Sequence, residues 1–378
     1  MSKHITILGS GFAGLAAARQ LRKLDKSVRI SLIAPKPEFV YLPSLIWMAS
    51  GKRKASDLVI PLDRFFARTN ISYIQAKVLN VSQNGRMVET DAGSFSNDGL
   101  IIACGGRFIK KIPGIENVIT PCEGIKCGEE FRDRLKNMDG GTLAFGFSGN
   151  PKEPAAMRGG PVFEFLFGTD QLLRSQGRRD KFKLTFFSPA PKPGIRLGEL
   201  AVEKLLNRMK KQDIISFIGE KIVKFSTKGV ETETKKFDAD MILFMPGMTG
   251  NSWFPKSGLP LSDGGMIKAG ANCQVDGTNW PMTYVAGDAG SFPGPGWMPK
   301  QAHMAELQAK AAATNLLAEL DGRQPGEEFE TELICIIDSE NKGALVYRKG
   351  ERSLMLPPMR IAHLAKRVFE RLHIRQYR

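Results

Sequence analysis

The chain opens with Ile5-Thr6-Ile7-Leu8-Gly9-Ser10-Gly11-Phe12-Ala13-Gly14, an apolar run that leads into the pattern G-x-G-x-x-G. A helical run of leucine and alanine follows. This order predicts a strand, a tight turn and a helix whose N-terminus and bare backbone N–H groups meet a pyrophosphate. Gly9 makes the turn, Gly11 admits the phosphates and Gly14 lets helix approach strand, with Phe12 and Ala13 at the helix start. Taken alone, the pattern also suits an ordinary strand-to-helix turn.

A second motif near the other end of the chain favours dinucleotide binding. Residues 282–285 read as a strand that stops just before Gly287-Asp288. In flavoproteins with two dinucleotide-binding domains, such a carboxylate lies against the ribityl and phosphate part of FAD. The pair of motifs therefore predicts FAD as the cofactor in preference to NAD.

Size and charge exclude several classes of protein. The chain has 378 residues, 42% hydrophobic and 25% charged, which is an ordinary globular balance with room for two or three domains. A net charge of +15 predicts attraction to an anionic partner. We expect no nucleic-acid binding, because the chain lacks zinc-finger spacing and basic helices interleaved with aromatics. An anionic membrane surface fits better.

Targeting signals and cysteines point to an intracellular protein. No apolar run reaches the roughly 18 residues that a membrane-spanning helix needs, and the first strand leaves no space for a signal peptide. We therefore expect a cytoplasmic location. The five cysteines are too few for a disulfide scaffold and lack the spacing of a zinc site, so no metal is predicted. They are Cys104, Cys122, Cys127, Cys273 and Cys335.

Three further segments extend the predicted FAD domain. The strand at residues 28–33 is followed by Ala34, where many FAD proteins carry an acidic ribose ligand, so Lys36 or backbone groups are left to make that contact. The strand at residues 71–78 ends at Val78, beside the expected adenine. Ala103 and Gly105 belong to the strand and turn that close this part of the domain.

The pattern restarts as a second α/β unit at about residue 111. Its first strand, residues 142–147, is followed by Ser148-Gly149-Asn150-Pro151-Lys152-Glu153-Pro154 instead of a glycine-rich turn. Two prolines here lack the backbone N–H that a phosphate needs. We predict an FAD-binding domain at 1–110 and 251–325, a second Rossmann-like domain at 111–250 without NADH, and a C-terminal region at 326–378.

Later motifs resemble the sulfide:quinone oxidoreductase and flavocytochrome c sulfide dehydrogenase flavoproteins over nearly the whole chain. The resemblance implies an α/β fold with two Rossmann-like, disulfide-reductase-like domains and a C-terminal region. It also implies an FAD-dependent oxidoreductase that passes two electrons from sulfide, or a related sulfur compound, through a cysteine and FAD to a quinone. The matching segments are residues 41–47, 160–164, 245–250, 297–305 and 335–338.

The same resemblance implies several site residues. Cys335 matches the cysteine of the C-terminal strand, and Cys122 resembles the additional cysteine of quinone-reducing members. Lys300 and Gln301 precede a helix whose N-terminus points at the flavin, where a cation stabilises the negative charge of the reduced ring. A solvated lysine is the alternative for Lys300. We expect His303, on that helix, to be a packing residue.

One departure from the family pattern leaves the chemistry open. Family members carry a partner cysteine just before Gly-Pro-aromatic-Glu, whereas this chain reads Ala155-Ala156-Met157-Arg158-Gly159-Gly160. Either Cys122 or Cys127 reaches Cys335, or Cys335 works alone through a persulfide, or sulfide oxidation is lost. An NADH:quinone-type or other flavin reductase and a flavin-bearing, non-enzymatic binding protein therefore stay as alternatives.

The C-terminal residues predict a basic amphipathic helix. Ile361, Leu364, Val368, Phe369 and Leu372 recur at helical spacing, and Arg360, Lys366, Arg367 and Arg371 fall on the other side. Such a helix can lie in a bilayer interface, and quinone-reducing family members attach to membranes through this region. The alternative is a stripe packed on the body of the protein. We expect peripheral attachment to the inner face of the cell membrane and leave a homo-oligomer open.

Overall fold

The computed structural model describes residues 3–378, and its first part alternates strands with short helices. The helices are α1 (Phe12–Leu24), α2 (Ala55–Leu58) and α3 (Asp63–Thr69). The strands are β1 (His4–Leu8), β2 (Arg29–Ala34), β3 (Glu38–Val40), β4 (Val59–Pro61), β5 (Ile71–Gln75), β6 (Val78–Ser82), β7 (Met87–Thr90), β8 (Gly93–Ser96), β9 (Gly99–Ile102) and β10 (Arg107–Phe108).

The middle of the chain repeats this alternation with longer helices. The helices are α4 (Ile125–Asn137), α5 (Gly160–Ser175) and α6 (Glu199–Lys211). The strands are β11 (Gly141–Phe147), β12 (Phe182–Ser188), β13 (Ile214–Ile218), β14 (Ile222–Ser226), β15 (Gly229–Thr232), β16 (Lys236–Asp238), β17 (Met241–Met245) and β18 (Met248–Thr249).

The last part of the chain returns to the first sheet and then forms a small sheet of its own. The helices are α7 (Ala302–Leu320) and α8 (Arg360–Arg375). The strands are β19 (Ile267–Lys268), β20 (Thr283–Val285), β21 (Gly290–Ser291), β22 (Glu332–Asp338), β23 (Gly343–Lys349) and β24 (Arg352–Met355).

Two parallel sheets organise the molecule. In the first, the strand order is β20-β9-β1-β2-β5, which is the order 3-2-1-4-5 of a dinucleotide-binding fold read from the other edge. Central strands such as β1 and β9 are apolar and buried, because helices cover both faces. The second parallel sheet has the order β13-β12-β11-β17. Two Rossmann-like units are therefore present, as the sequence predicts.

Helix α5 joins the second unit to the C-terminal sheet. It lies against β11 and β12 on one side and against β22 on the other. Residues 162–167 are buried along their whole length, including the polar Glu164. A helix that is covered all round reads as a continuous apolar run, which explains the absence of a polar face in this segment.

Helix α8 is amphipathic, but its apolar stripe faces outward, contrary to the alternative in which the stripe packs on the body of the protein. Its apolar stripe of five side chains is 45% to 70% exposed, so the stripe does not pack on the body of the protein. The polar face packs inward instead. Lys366, expected on the solvated basic side, is largely buried and pairs with Glu164 of α5, while Arg53 pairs with Glu370. Arg360 and Arg371 are exposed as predicted.

Within residues 3–378, no helix combines the length and the apolar character that a bilayer crossing requires.

Candidate active site

A single large cavity of about 1160 Å³ runs along the carboxyl ends of β1 and β9 and reaches α8. Ligands in open α/β sheets bind at this edge of the sheet. The cavity brings together most of the residues predicted for the site. The predicted residues that line it are Gly9, Gly11, Phe12, Ala13, Val78, Ala103, Gly105, Cys122, Gly287, Asp288, Lys300, Gln301 and Cys335.

The first glycine turn has the geometry of a phosphate-binding cradle. Gly9 has φ +106°, and a Cβ there would lie 2.5 Å from the carbonyl oxygen of Ala103. A Cβ on Gly14 would lie 2.0 Å from the oxygen of Gly9, so the close approach of helix to turn needs glycine. Gly11 faces open space, and no side chain caps α1. The first N–H groups of α1 are therefore available to an anion.

The opposite wall adds further groups that fit FAD. The N–H of Gly287 donates to Oε1 of Gln308 (3.0 Å), which holds the turn that presents Asp288. The N-terminus of α7, at Lys300 and Gln301, also lines the cavity. Oε1 of Gln301 is buried without a hydrogen-bond partner among the described residues. A bound group with an N–H or O–H would satisfy this acceptor.

Three predicted site residues stand away from the cavity. The side chain of Lys36 is 72% exposed and pairs with Glu38 at 3.3 Å, so a ribose contact from this lysine stays a prediction without support from the geometry. Gly14 serves the helix approach. Cys127 lies on α4 outside the cavity lining, where burial and nearby acidic residues raise the pKa of its thiol.

Lys300 and His303 both line the cavity, and each has a polar partner within the protein. The Lys300 ammonium donates to the carbonyl oxygen of Gly290, and burial lowers its pKa, so it is not a solvated lysine. Nε2 of His303 lies 2.5 Å from Oε1 of Glu332, so the imidazole has a partner within the protein, and its packing role stays a prediction.

Arg158 occupies the stretch in which the resembling family carries its partner cysteine. Its guanidinium forms an ion pair with Asp288 and lies beside the sulfur of Cys122. Burial opposes the charge on Arg158, but Asp288 and Cys122 together outweigh burial and raise the pKa of the guanidinium. Burial raises the pKa of the Cys122 thiol, and Arg158 acts in the opposite direction. Arg158 therefore contacts both the candidate cysteine Cys122 and Asp288, the carboxylate that is predicted to bind FAD.

Cys335 lies near a buried ion pair at the far end of the cavity. Lys366 of α8 pairs with Glu164 of α5 and donates to the carbonyl oxygen of Ile336 at 3.1 Å. Burial raises the pKa of the Cys335 thiol to about 12, with a further contribution from Glu164, so this cysteine is a thiol at neutral pH. Burial likewise raises the pKa of Glu164, which places a potential proton acceptor near the thiol.

A hydrogen-bond network fixes the orientation of that pair. The N–H of Asp338 donates to Oε1 of Glu164 (2.9 Å), and the Asp338 carboxylate accepts from Nε1 of Trp47 (3.0 Å). Nδ1 of His363, on α8, lies 2.6 Å from Oδ2 of Asp338. Elements far apart in sequence thus hold Glu164 and Lys366 in one arrangement.

The loop after β11 has a different structure from the first glycine turn. The side-chain amide of Asn150 donates to the carbonyl oxygens of Met248 (2.9 Å) and Gly264 (3.2 Å). Its oxygen accepts from the N–H of Lys152 (3.0 Å). The side chain of Asn150 thus ties this loop to β18 and to the segment before β19, where the first unit has a bare glycine turn.

Several charged residues of the cavity lining were not predicted, among them Arg158, Glu164, Arg196 and Lys366. A sequence signal existed for two of them. Glu164 interrupts the apolar run of α5, and an acidic residue inside such a run requires a partner. Lys366 lies between apolar residues of the amphipathic helix, where it reads equally well as solvated.

Comparisons with known proteins place this geometry among flavoprotein reductases. Residues 3–144 match the family described as pyridine nucleotide-disulphide oxidoreductase. A sulfide-quinone reductase of Aquifex aeolicus is 24% identical over 356 residues, 89% of this chain and 81% of that protein. A type II NADH:quinone oxidoreductase of Staphylococcus saprophyticus is 26% identical over 374 residues, 91% of this chain and 90% of that protein.

The solved structures confirm the fold. The X-ray structure of the sulfide:quinone oxidoreductase from Aquifex aeolicus superposes with a TM-score of 0.87 at 22% identity. The match covers 100% of this chain and 92% of that chain. The predicted α/β architecture with two dinucleotide-binding domains is confirmed by this similarity and by the two parallel sheets.

Proposed function

This chain is an FAD-dependent oxidoreductase with two dinucleotide-binding domains, and we propose that it passes two electrons from a small sulfur donor to a quinone. One observation carries the proposal: a single cavity extends from the phosphate-binding turn, past Cys335, to the exposed apolar stripe of α8. The relatives named as quinone reductases support the acceptor, and the cysteine-lined part of the cavity supports the donor.

FAD, when bound, supplies a carrier that takes up and gives out two electrons. The residues of the chain bind it at the turn around Gly11 and exclude water from the cavity. Cys335 is the group on which the donor sulfur is retained. Because its thiol is protonated at neutral pH, its activation needs a base, and the buried carboxylate of Glu164 is the nearby group for that role.

The overall change at Cys335 is the oxidation of its thiol and a hydrosulfide ion to a persulfide anion, with the two electrons passing by way of FAD to the quinone. The Cys335 thiol and a hydrosulfide ion form one S–S bond and release two electrons and two protons. The quinone takes up two electrons and two protons and becomes a quinol. Glu164 and Lys366 line the cavity together with Cys335 and Phe369, and they are the residues that hold protons there.

The acceptor end of the cavity lies at α8. Phe369, whose side chain is 58% exposed, belongs both to the cavity wall and to the apolar stripe. A hydrophobic quinone can therefore enter from the surface on which the stripe rests. The buried Lys366 ammonium supplies a hydrogen-bond donor to a quinone oxygen at that end.

We also propose that α8 attaches the protein to an anionic membrane surface. Its apolar stripe has no partner among the described residues, and exposed arginines flank it. Burying such a stripe in the interface lowers the free energy, and the basic residues add attraction to anionic lipids. The net charge of +15 acts in the same direction.

Anaerobic stopped-flow reduction of the purified protein by sulfide tests the proposal. We expect sulfide to bleach the flavin absorbance and a short-chain quinone to restore it. Cys335→Ser should slow bleaching by at least about 100-fold, because the sulfur loses its acceptor. Cys127→Ser is the matched control outside the cavity and should react at the rate of the unchanged protein. Equal rates in both variants would remove Cys335 from the mechanism.

A further inference from the structure

Three cations lie close together in the cavity wall that faces the second unit: Arg158, Arg196 and Lys300. Arg196 donates to the carbonyl oxygen of Ala155, and Ala155 lines a small pocket together with Lys300 and Asp288. Burial lowers the pKa of Lys300, and the charges of Arg158 and Arg196 lower it further. Two of them come from loops of the second unit, and Lys300 comes from the start of α7. The cluster therefore forms only when the two units are together.

The cluster has fewer negative charges than positive ones. Asp288 pairs with Arg158, and Glu153, the other acidic neighbour, hydrogen-bonds with Ser291 (3.2 Å). Lys300 donates to a backbone carbonyl instead of a carboxylate. Two carboxylates thus face three cations, which leaves one positive charge uncompensated at the cavity wall.

Arg196 is the cation without a carboxylate partner. One of its guanidinium nitrogens donates to the carbonyl oxygen of Ala155 (3.1 Å), and no carboxylate within residues 3–378 lies within the 4.0 Å range of an ion pair. Burial lowers the pKa of Arg196 to about 10, so it is still charged at neutral pH. Burying such a charge is costly, and an anion in the cavity would offset that cost.

The cavity has space for such an anion beside a cofactor. Its volume of about 1160 Å³ exceeds the roughly 300–1,000 Å³ that is usual for one ligand site. Arg158 and Arg196 belong to loops of the second unit, whereas the phosphates of a dinucleotide are expected at the turn around Gly11 in the first unit. The two anion-attracting places therefore belong to different units of the chain.

We propose that Arg158, Arg196 and Lys300 form a binding site for a small anion, and, resting on the proposed function, that this anion is the ionised sulfur donor. The site takes its specificity from charge and size. Guanidinium groups donate paired hydrogen bonds to oxyanions, and their positive charge also attracts an ionised sulfur. Arg158 thereby replaces a covalent partner for the donor with an electrostatic one.

Isothermal titration calorimetry of the FAD-loaded protein tests the site without turnover. Sodium sulfate is the probe that carries no reducing electrons, thiosulfate is the sulfur-bearing comparison, and ionic strength is held constant. We expect saturable binding of both. Arg196→Gln should weaken both affinities at least tenfold. Lys236→Gln, exposed in the second unit, paired with Glu231 and outside the cavity lining, should change them less than twofold.

Arg158→Gln provides the second variant and should weaken binding to a similar extent. Because it leaves Asp288 unpaired, its thermal melting is measured beside it, whereas Arg196 has no carboxylate partner to lose. The absence of saturable sulfate binding, or equal affinity in Arg196→Gln, would overturn the site. Displacement of sulfate by NADPH with an Arg196-dependent affinity would assign it to a nucleotide phosphate and overturn it too.

Failure of the proposed function gives a different result. If sulfide does not reduce the flavin while sulfate binding depends on Arg196, the anion site stands and its anion is not a sulfur donor. If sulfide reduces the flavin while sulfate does not bind, the site is overturned and the proposed function stands.

Discussion

The two Rossmann-like units differ most at the turn that follows their first strand. In the first unit, Gly9, Gly11 and Gly14 leave a bare turn with open space before α1. In the second unit, the loop after β11 is tied to Met248 and Gly264 by the side chain of Asn150. The first sheet has one extra strand, β20, and its other four strands have the same order as the four of the second sheet, so we expect a difference in binding to arise at the turn.

The loop after β11 also leads to charged residues that line the cavity. It continues to Arg158, and the helix that follows carries Glu164 into the cavity. On the proposed function, the first unit binds the cofactor, while the second unit and the C-terminal region provide charged groups of the cavity. The comparison teaches that two units with the same strand order can contribute different groups to one cavity.

The largest effect is expected when the two turns receive the same substitution. Gly14→Ala places a Cβ 2.0 Å from the oxygen of Gly9, which α1 can relieve only by moving away from the turn. We expect at least a tenfold loss of FAD occupancy, measured from the flavin-to-protein absorbance ratio, with overpacking costs of about 1–3 kcal/mol. Gly149→Ala meets nothing closer than 3.8 Å and should leave both unchanged.

The next test separates the charged wall of the second unit from cofactor binding. Lys366→Met leaves the buried carboxylate of Glu164 without its partner, which costs roughly 3–5 kcal/mol of unfolding free energy. The double change Lys366→Met with Glu164→Gln should recover most of that stability. Urea denaturation of the FAD-loaded variants measures both values. Purely additive losses would show that the two residues do not act as a pair.

A third prediction concerns the stripe of α8, whose five side chains are 45% to 70% exposed. Leu364→Glu combined with Leu372→Glu should lower partitioning onto anionic phosphatidylglycerol vesicles about tenfold or more, because the apolar area lost drives interfacial binding. Leu24→Glu, an exposed leucine at the end of α1, is the control and should bind as the unchanged protein does. Vesicle sedimentation measures this, and equal partitioning of both variants would contradict membrane attachment through α8.

The smallest effect is a pH dependence at the contact between α8 and the first unit. Burial among Phe12, Tyr41 and Tyr377, followed by the charge of Arg19, lowers the pKa of His373 to about 4. The unfolded chain has its ordinary pKa of about 6.5, so it binds a proton more readily. This contribution to stability is complete above pH 6.5 and is lost as the pH falls towards 4.

Thermal melting between pH 4 and pH 8 measures the His373 contribution. His373→Phe keeps an aromatic ring in the cluster and removes the titrating group, so its melting temperature should fall less on acidification. A decline as steep as that of the unchanged protein would assign the pH dependence to other groups.

Local sequence predicts the first unit well and the charged site poorly. The turn around Gly11 is recognisable because strand, glycines and helix are adjacent in the chain. Lys366 and Glu164 are 202 residues apart, and no local pattern reports that a lysine on an amphipathic helix meets a buried acid. The prediction for Lys36 rested on the residue that usually follows β2, and the side chain turned outward to Glu38 instead.

Arg158 shows a different limit of prediction. The sequence indicates only that the stretch around Arg158 lacks a cysteine, because the partners of Arg158, Asp288 and Cys122, come from distant parts of the chain. Only the folded arrangement shows that an arginine lies where the resembling family has sulfur.

The most direct test of the division between the two units is anaerobic mixing of the FAD-loaded protein with sulfide and with NADH in separate experiments. The absorbance of the flavin is followed in both. We expect bleaching by sulfide and an unchanged spectrum with NADH, since the loop after β11, held by Asn150, lacks a glycine-rich turn for a nicotinamide dinucleotide. Rapid bleaching by NADH, with no response to sulfide, would contradict the account.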